Sequence, residues 1–527
     1  MAESQVTGSR SERITVQTFS GGLNNVSDIT TIDNEELHRL INFELDANGS
    51  LVSRPPITQL ALAPVVNQPI DILGFYTDPV EVSYAVVACN GNTYLYNLDT
   101  NTYTSAIATF AATGAAQWGG NLYLCSSTQS GGYWNGTTFT SLAAGANAMP
   151  RGEQIVLYKA RFFMISRVSG HERGRIHFSN ITTVGPGATS INDWEPDNYF
   201  DVSKGDGQFI TKIVSAANEL FIFRTKSTYY FKYQSAPIDG SLDLLDNTVG
   251  ADNKYSVGEY EFSYLVLNNG RLYRFVSYQF YPLNDISRLS FVQTKSTAVL
   301  SIKSALTVFG RRAVVWFGGG TYALDLETGA WSQWSSPSTE FAWGVLKPRK
   351  QDALTPDTVI GITGVNTANK QKMYQLVDAY LVSNTEEIEC LAETKAFDFD
   401  IPDLWKRLFY WSADVYTARD VYGVVSPIQF TSLIVSWDDL AGYTFDQLAL
   451  GTWDFPIVKS PDVQTHVVYP ALLPYRVNVT FQRDMRFRRA SFEVRLSTDG
   501  TTATGPVRVV AFSIHAVLKR GISDIIQ

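Results

Sequence analysis

The sequence predicts an all-β chain in which a β-propeller of about seven blades, with six to eight compatible, is followed by a C-terminal β-sandwich. Three observations predict it. Of the 527 residues 45% are hydrophobic, 13% aromatic and only 18% charged, a balance poor in the Lys, Glu and Ala of exposed helices and suited to pleated, half-buried surfaces. A strand-turn-strand unit recurs at about 40 to 50 residues, the length of a four-stranded blade. Beyond Ser383 that period stops and the strands lengthen.

These features divide the chain into an arm (1–60), a propeller (61–383) and a sandwich (384–527), the last of which the charge pattern below makes the expected assembly domain. In the arm, Gly21 and Gly22 allow positive φ. Asp33 with Glu36 three positions on has the form of a capping box, and Leu37, Leu40 and Ile41 follow at helical spacing, so a short helix is expected there. Asn48-Gly49 marks a tight turn, and Arg54-Pro55-Pro56 stiffens the exit because each ring fixes its own φ and restricts the residue before it.

In the propeller, Thr93 to Tyr103 and Thr321 to Trp331 nearly superimpose: alternating aromatic and aliphatic residues, an Asp-Thr-Asn or Glu-Thr-Gly turn, then an aromatic that starts the return strand. The pattern is similar to that of a kelch blade. Weaker copies complete a series of markers at Tyr94, Tyr133, His177, Tyr229, Tyr273, Tyr322 and Tyr374. Closure of the end blade is open to either Ile14 to Phe19 or a segment near Ile57. In the sandwich, Phe492, Val494 and Leu496 alternate with Glu493 and Arg495, as in a strand with one buried face.

The arm also carries a resemblance. Gly21-Gly22-Leu23-Asn24, a short acidic segment, Asn42-Phe43 and Asn48-Gly49-Ser50-Leu51-Val52-Ser53-Arg54-Pro55-Pro56 resemble the amino-terminal signature of bacteriophage tail proteins, of which the tail nozzles of short-tailed phages and several minor tail proteins are members. The resemblance implies a β-propeller and a structural virion role without catalysis. It implies a homo-oligomeric, six-fold ring around the DNA exit path, acting in DNA ejection and host attachment beside adaptor or tube proteins and fibres. Gly21, Gly22, Asn42, Gly49, Arg54, Pro55 and Pro56 match the signature, and the role it implies for them is structural. The chain is shorter than the larger nozzle proteins, which leaves a tail-tip position open.

Charge and cysteine content agree with such a role. A net charge of −9 argues against a surface that grips nucleic acid, whereas a neutral or acidic lumen lets DNA pass without sequence-specific binding. Cys89, Cys125 and Cys390 are an odd number without a C-x-x-C pair, which points away from disulfides and structural zinc and toward assembly in a reducing host cytoplasm. No signal-peptide pattern opens the chain and no long apolar run occurs, so neither Sec export nor membrane spanning is expected.

Residues that could carry chemistry are sparse, and neither a cofactor nor a metal is expected. His171 and His177 lack a metal-set spacing, and no Gly-x-Ser-x-Gly, His-Glu-x-x-His or phosphate-loop motif occurs. Asp398 with Asp400, and Asp201 with Asp206 flanking a Lys-Gly turn, are the acid pairs that an envelope polysaccharide hydrolase would need, but Asp398 and Asp400, two apart on one strand, line the same wall. Trp118, Trp134, Trp194, Trp331, Trp334 and Trp343 are the aromatics with which a tail module could bind host surface glycan. In the sandwich, Glu386, Glu387 and Glu389 oppose Arg483, Arg486, Arg488 and Arg489 in charge. They are the candidate subunit interface, since complementary charge sets register between ring neighbours.

Overall fold

The computed structural model describes residues 10–283 apart from short internal breaks, then 305–335 apart from 318–319, 358–362, 372–377, 388–397, 406–417, 421–430, 456–458, 462–466, 475–487, 489–497 and 508–518. Among the described residues the chain is all-β, with a single 3-10 turn at Pro237–Asp239. It forms a β-propeller followed by a β-sandwich. The six arm strands are β1 (Arg10–Val16), β2 (Gly22–Leu23), β3 (Glu36–Ile41), β4 (Phe43–Leu45), β5 (Leu51–Ser53) and β6 (Ile57–Leu62).

Seven blades are described. Blades 1 to 5 are antiparallel four-stranded sheets within 70–103, 114–141, 152–201, 210–246 and 257–282, and blade 6 spans 305–334. Blade 7 joins Thr358–Ile362 and Lys372–Val377 to β6, so the segment at Ile57, rather than Ile14 to Phe19, completes the last blade. The ring closes where Thr358–Ile362 meets the first strand of blade 1, Ile70–Thr77. Tyr94, Tyr133, His177, Tyr229, Tyr273 and Tyr322 all fall on the third strand of their blades, and Tyr374 lies on Lys372–Val377.

The period of two along each strand explains why blades stack. In blade 1, Val86 and Leu95 pack toward Leu122 and Leu124 of blade 2, while Ala85, Val87 and Tyr96 pack toward Met373 of blade 7. In blade 2, Tyr123 and Cys125 turn the other way, onto Phe162 and Met164 of blade 3. Every blade therefore has two apolar faces and needs two neighbours. Side-chain amides add to this packing near the axis. Gln117 Nε2 donates to Thr77 O at 2.6 Å while Thr77 N donates to Gln117 Oε1 at 3.0 Å, and Gln154 does the same with Ile213 at 3.1 Å in each direction.

The helix expected from Asp33 to Ile41 is not formed: Glu36–Ile41 are β3, which pairs antiparallel with Glu389–Thr394. A bulge between Leu37 and Arg39 is the reason the spacing misled. It inserts one residue, so Leu37 and Leu40, three apart, both face the core at 1% exposure, as they would on a helix. Half of the capping box survives as a turn, with Asp33 N donating to Glu36 Oε2 at 3.0 Å.

The arm is built into the sandwich. One sheet runs Tyr475–Phe487, Lys406–Thr417, Arg508–Leu518, β5, β4, with β1 also paired along Arg508–Leu518. The other continues the sheet of blade 6: Trp331–Trp334 meets β3 in parallel, then Glu389–Thr394, Arg489–Ser497 and Val421–Phe430 follow. Between the two sheets lie Phe19, Phe43, Leu51, Trp411, Phe492 and Phe512, in one apolar core that extends to Leu267 of blade 5 and Val315 of blade 6. Propeller and sandwich thus share a core.

Candidate functional site: the junction of arm, propeller and sandwich

The signature residues converge on this shared region. Asn42 follows β3 at φ 59, a left-handed conformation that Asn tolerates better than most side chains. Its backbone N donates to Gln333 O of blade 6 at 2.8 Å, and its Nδ2 donates to Glu389 O of the sandwich at 2.7 Å. Asn42 Oδ1 accepts from Ser335 N at 2.7 Å and from Arg54 Nε at 2.9 Å. One side chain therefore bonds the arm, blade 6 and the sandwich.

Arg54 is the second half of the node. It is 1% exposed, and its fork donates to Ser335 O at 3.1 Å and to Pro55 O at 2.9 Å, with the guanidinium 5.9 Å from the Trp334 ring centre. Pro55 and Pro56 are buried beside it and lead the chain straight into β6, the closing strand of blade 7. Fixed φ at both prolines sets the angle at which the arm leaves the sandwich for the propeller.

The glycines serve close approach. A Cβ on Gly22, at φ +63, would lie 2.8 Å from Ala330 Cβ and 2.9 Å from Trp331 N, while one on Gly21 would lie 2.5 Å from Glu36 Cγ. Gly49, at φ +77, closes the turn between β4 and β5, and its N donates to Asp46 O at 3.0 Å. Arg312 Nε donates to Glu44 Oε2 at 2.6 Å and Arg311 bonds Leu45 O, tying β4 to blade 6. The tie was not legible in sequence, because neither arginine lies near the arm in the chain.

The charged candidates are distributed differently. Glu389 is exposed, whereas Glu386, Glu387 and Arg488 lie outside the described residues. Arg483 and Arg486 stand on Tyr475–Phe487, an edge strand of one sheet, and Arg489 begins Arg489–Ser497 in the other. Part of the acidic stretch is buried. Glu393, 8% exposed, is raised above the ordinary carboxyl range by burial and by Glu493, against the opposing hydrogen bond from Ser491.

The catalytic and glycan candidates separate in the same way. Arg175 grips Asp201 with two bonds of 2.7 and 3.1 Å, and Arg224 holds Asp206, lowering its carboxyl below the usual range. Asp398 and Asp400 lie outside the described residues. Trp194, Trp331 and Trp334 are buried at 2 to 3% exposure, Trp134 is half-buried, Trp118 is 40% exposed, and Trp343 is outside the described residues. His177 is pushed down to about 4, chiefly by burial and then by Arg175 and His171. No group of three metal-ligating side chains gathers among the described residues. The three cysteines are free and buried, Cys125 between blades 2 and 3.

No family model matches the chain, and no curated protein matches it. Solved structures do. BamB from Moraxella catarrhalis shares 10% identity over 64% of this chain and 96% of its own, with a TM-score of 0.37. YCF48 from Cyanidioschyzon merolae shares 10% identity over 61% of this chain and 98% of its own, with a TM-score of 0.37. The computationally designed Ika8 protein shares 10% identity over 61% of this chain and 99% of its own, with a TM-score of 0.36.

Proposed function

We propose that this chain is a structural protein of a bacteriophage tail, forming a homo-oligomeric, six-fold ring at the nozzle or tail tip around the path of DNA. The observation that carries the reading is the Asn42–Arg54 node. Two residues that match the tail-protein signature, Asn42 and Arg54, bond arm, propeller and sandwich to one another. A ring subunit must hold its lumen and its outer modules at a constant angle, and a shared core crossed by a buried polar node resists bending between domains. A net charge of −9 suits a lumen that DNA traverses without being held. Adaptor or tube proteins and fibres are the further partners in this reading, and the virion tail is its location.

Negative-stain imaging of the purified full chain tests it. Closed rings, together with stoichiometric presence in purified particles by mass spectrometry, are the expected result. A protein that stays monomeric at micromolar concentration and is missing from particles would overturn the reading.

A further inference from the structure

The outer strand of a blade is a sheet edge, and most of the described ones are short. In blades 1, 2, 3 and 5 they are Thr102–Tyr103, Phe139–Ser141, Tyr199–Asp201 and Gln279–Pro282, of two, three, three and four residues, the last ending in proline. Blade 6 shows what an outer strand can take, since Trp331–Trp334 carries β3 on its outer side. Blade 4 differs from these five. Its outer strand Ser241–Asp246 has six residues, pairs along one side with Thr228–Lys232, and meets no strand on the other among the described residues.

Two of its leucines serve the propeller and one does not. Leu242 packs into the core between blades 3 and 4 and Leu245 into that between blades 4 and 5, but Leu244 is 53% exposed, with Ile238 at 67% in the turn before the strand. Asp243 is exposed and makes no side-chain hydrogen bond or ion pair among the described residues.

A free edge of similar length lies on the sandwich. β1 pairs over its seven residues with Phe512–Leu518, and no described strand runs along its other side. Arg13 is exposed there and reaches Ser513 Oγ at 3.3 Å, with no carboxylate partner among the described residues, while Ile14 packs at the margin of the shared core. The two edges complement each other. Set antiparallel with Arg13 opposite Asp243, they place Thr15 opposite Ser241, Arg10 opposite Asp246 and Ile14 diagonal to Leu244. Leu244 then extends the apolar face that Ile14 begins. Pairing of Ser241–Asp246 with its own copy would instead bring two aspartates from each chain onto one seam, and β6, the strand of equal length in blade 7, has no charged residue to set against β1.

We propose that the outer edge of blade 4 is a subunit interface, at which β1 of a second copy of this chain adds as a fifth strand. The inference rests on the ring reading and deepens it. Each copy carries the two edges at different places, so the contact is head-to-tail, the kind that closes into rings.

Negative-stain imaging of full-chain variants tests it. Asp243→Arg and Arg13→Asp should each lose closed rings, and the two together, which exchange the charges, should restore them, all with the circular dichroism of the wild type. Thr15→Cys with Ser241→Cys in one chain should give disulfide-linked oligomers on oxidation with copper phenanthroline. Either cysteine alone, or the wild type with its three buried thiols, should give none. Where a charge variant alters the circular dichroism, the cysteine pair decides. A wild type without rings overturns the ring reading and this interface with it. Wild-type rings that persist in both single charge variants, a charge exchange that fails to restore them, or a cysteine pair that links no chains would overturn the strand pairing and leave the ring standing.

Discussion

Glu393 and Glu493 stand directly opposite each other on adjacent antiparallel strands, 8% and 4% exposed. Like charges in that position repel, and among the described residues only Glu493 has arginine partners within bonding distance, Arg39 at 3.0 Å and Arg495 at 2.5 Å. Glu393 has Ser491 Oγ, which donates to it at 2.7 Å.

A pH dependence follows. Because burial raises the Glu393 carboxyl, the folded chain holds its proton more tightly than the unfolded chain does. This contribution is fully present below the ordinary carboxyl pKa and is lost as pH rises through the raised value. Glu393→Gln keeps an acceptor for Ser491 and removes the repulsion. Denaturant unfolding at pH 8 should show it more stable than wild type by about 0.2–1 kcal/mol, a gap that closes toward about pH 4. A variant less stable at every pH would show that the charge is no burden.

Asn42 is predicted to be costly to replace. Asn42→Ala leaves Arg54 Nε and Glu389 O without this partner and keeps a side chain at φ 59, for a loss of about 2–4 kcal/mol. Asn42→Gly relieves the backbone alone and should recover about 1 kcal/mol of that. Equal losses in urea unfolding would mean that the backbone carries no part of the effect.

Two glycines separate strain from collision. Gly91→Ala, at φ +76 with nothing within 4 Å of its Cβ, should cost about 1 kcal/mol. Gly22→Ala adds a clash with Ala330 and the Trp331 backbone and should cost about 1–3 kcal/mol more. Thermal midpoints of the two variants provide the comparison, and a Gly22 variant as stable as the Gly91 one would show that blade 6 yields to the arm.

For the proposed ring, Arg486→Glu with Arg488→Glu should abolish closed rings in negative stain while leaving the circular dichroism of the chain unchanged. Unimpaired rings would remove these arginines from the interface.

The blades were legible because their signal is local. In blades 1, 2, 5 and 6 an aromatic on the third strand, a turn and a return strand lie within about a dozen residues, and with the weaker copies of blades 3 and 4 six markers land on equivalent strands without any knowledge of the ring. β3 was not legible. A bulge makes Leu37 and Leu40 look helical, and the strand is held by distant partners, Glu389–Thr394 on one side and Trp331–Trp334 with β2 on the other. Likewise Glu493, which alternation assigns to a solvated face, is buried, because the neighbouring strand and Arg39 cover it.

By itself the sequence determined the all-β class, the blade period, the change of texture beyond Ser383 and turns such as Asn48-Gly49. These are properties of short stretches of chain. Tertiary structure alone decided that Ile57 closes the propeller, that blade 6 runs on into the sandwich, and that Asn42 and Arg54 bond partners nearly 300 and 350 residues away. Such contacts depend on where distant strands are brought in space, and hydrophobic burial, which has no direction along the chain, decides that only when the whole core assembles.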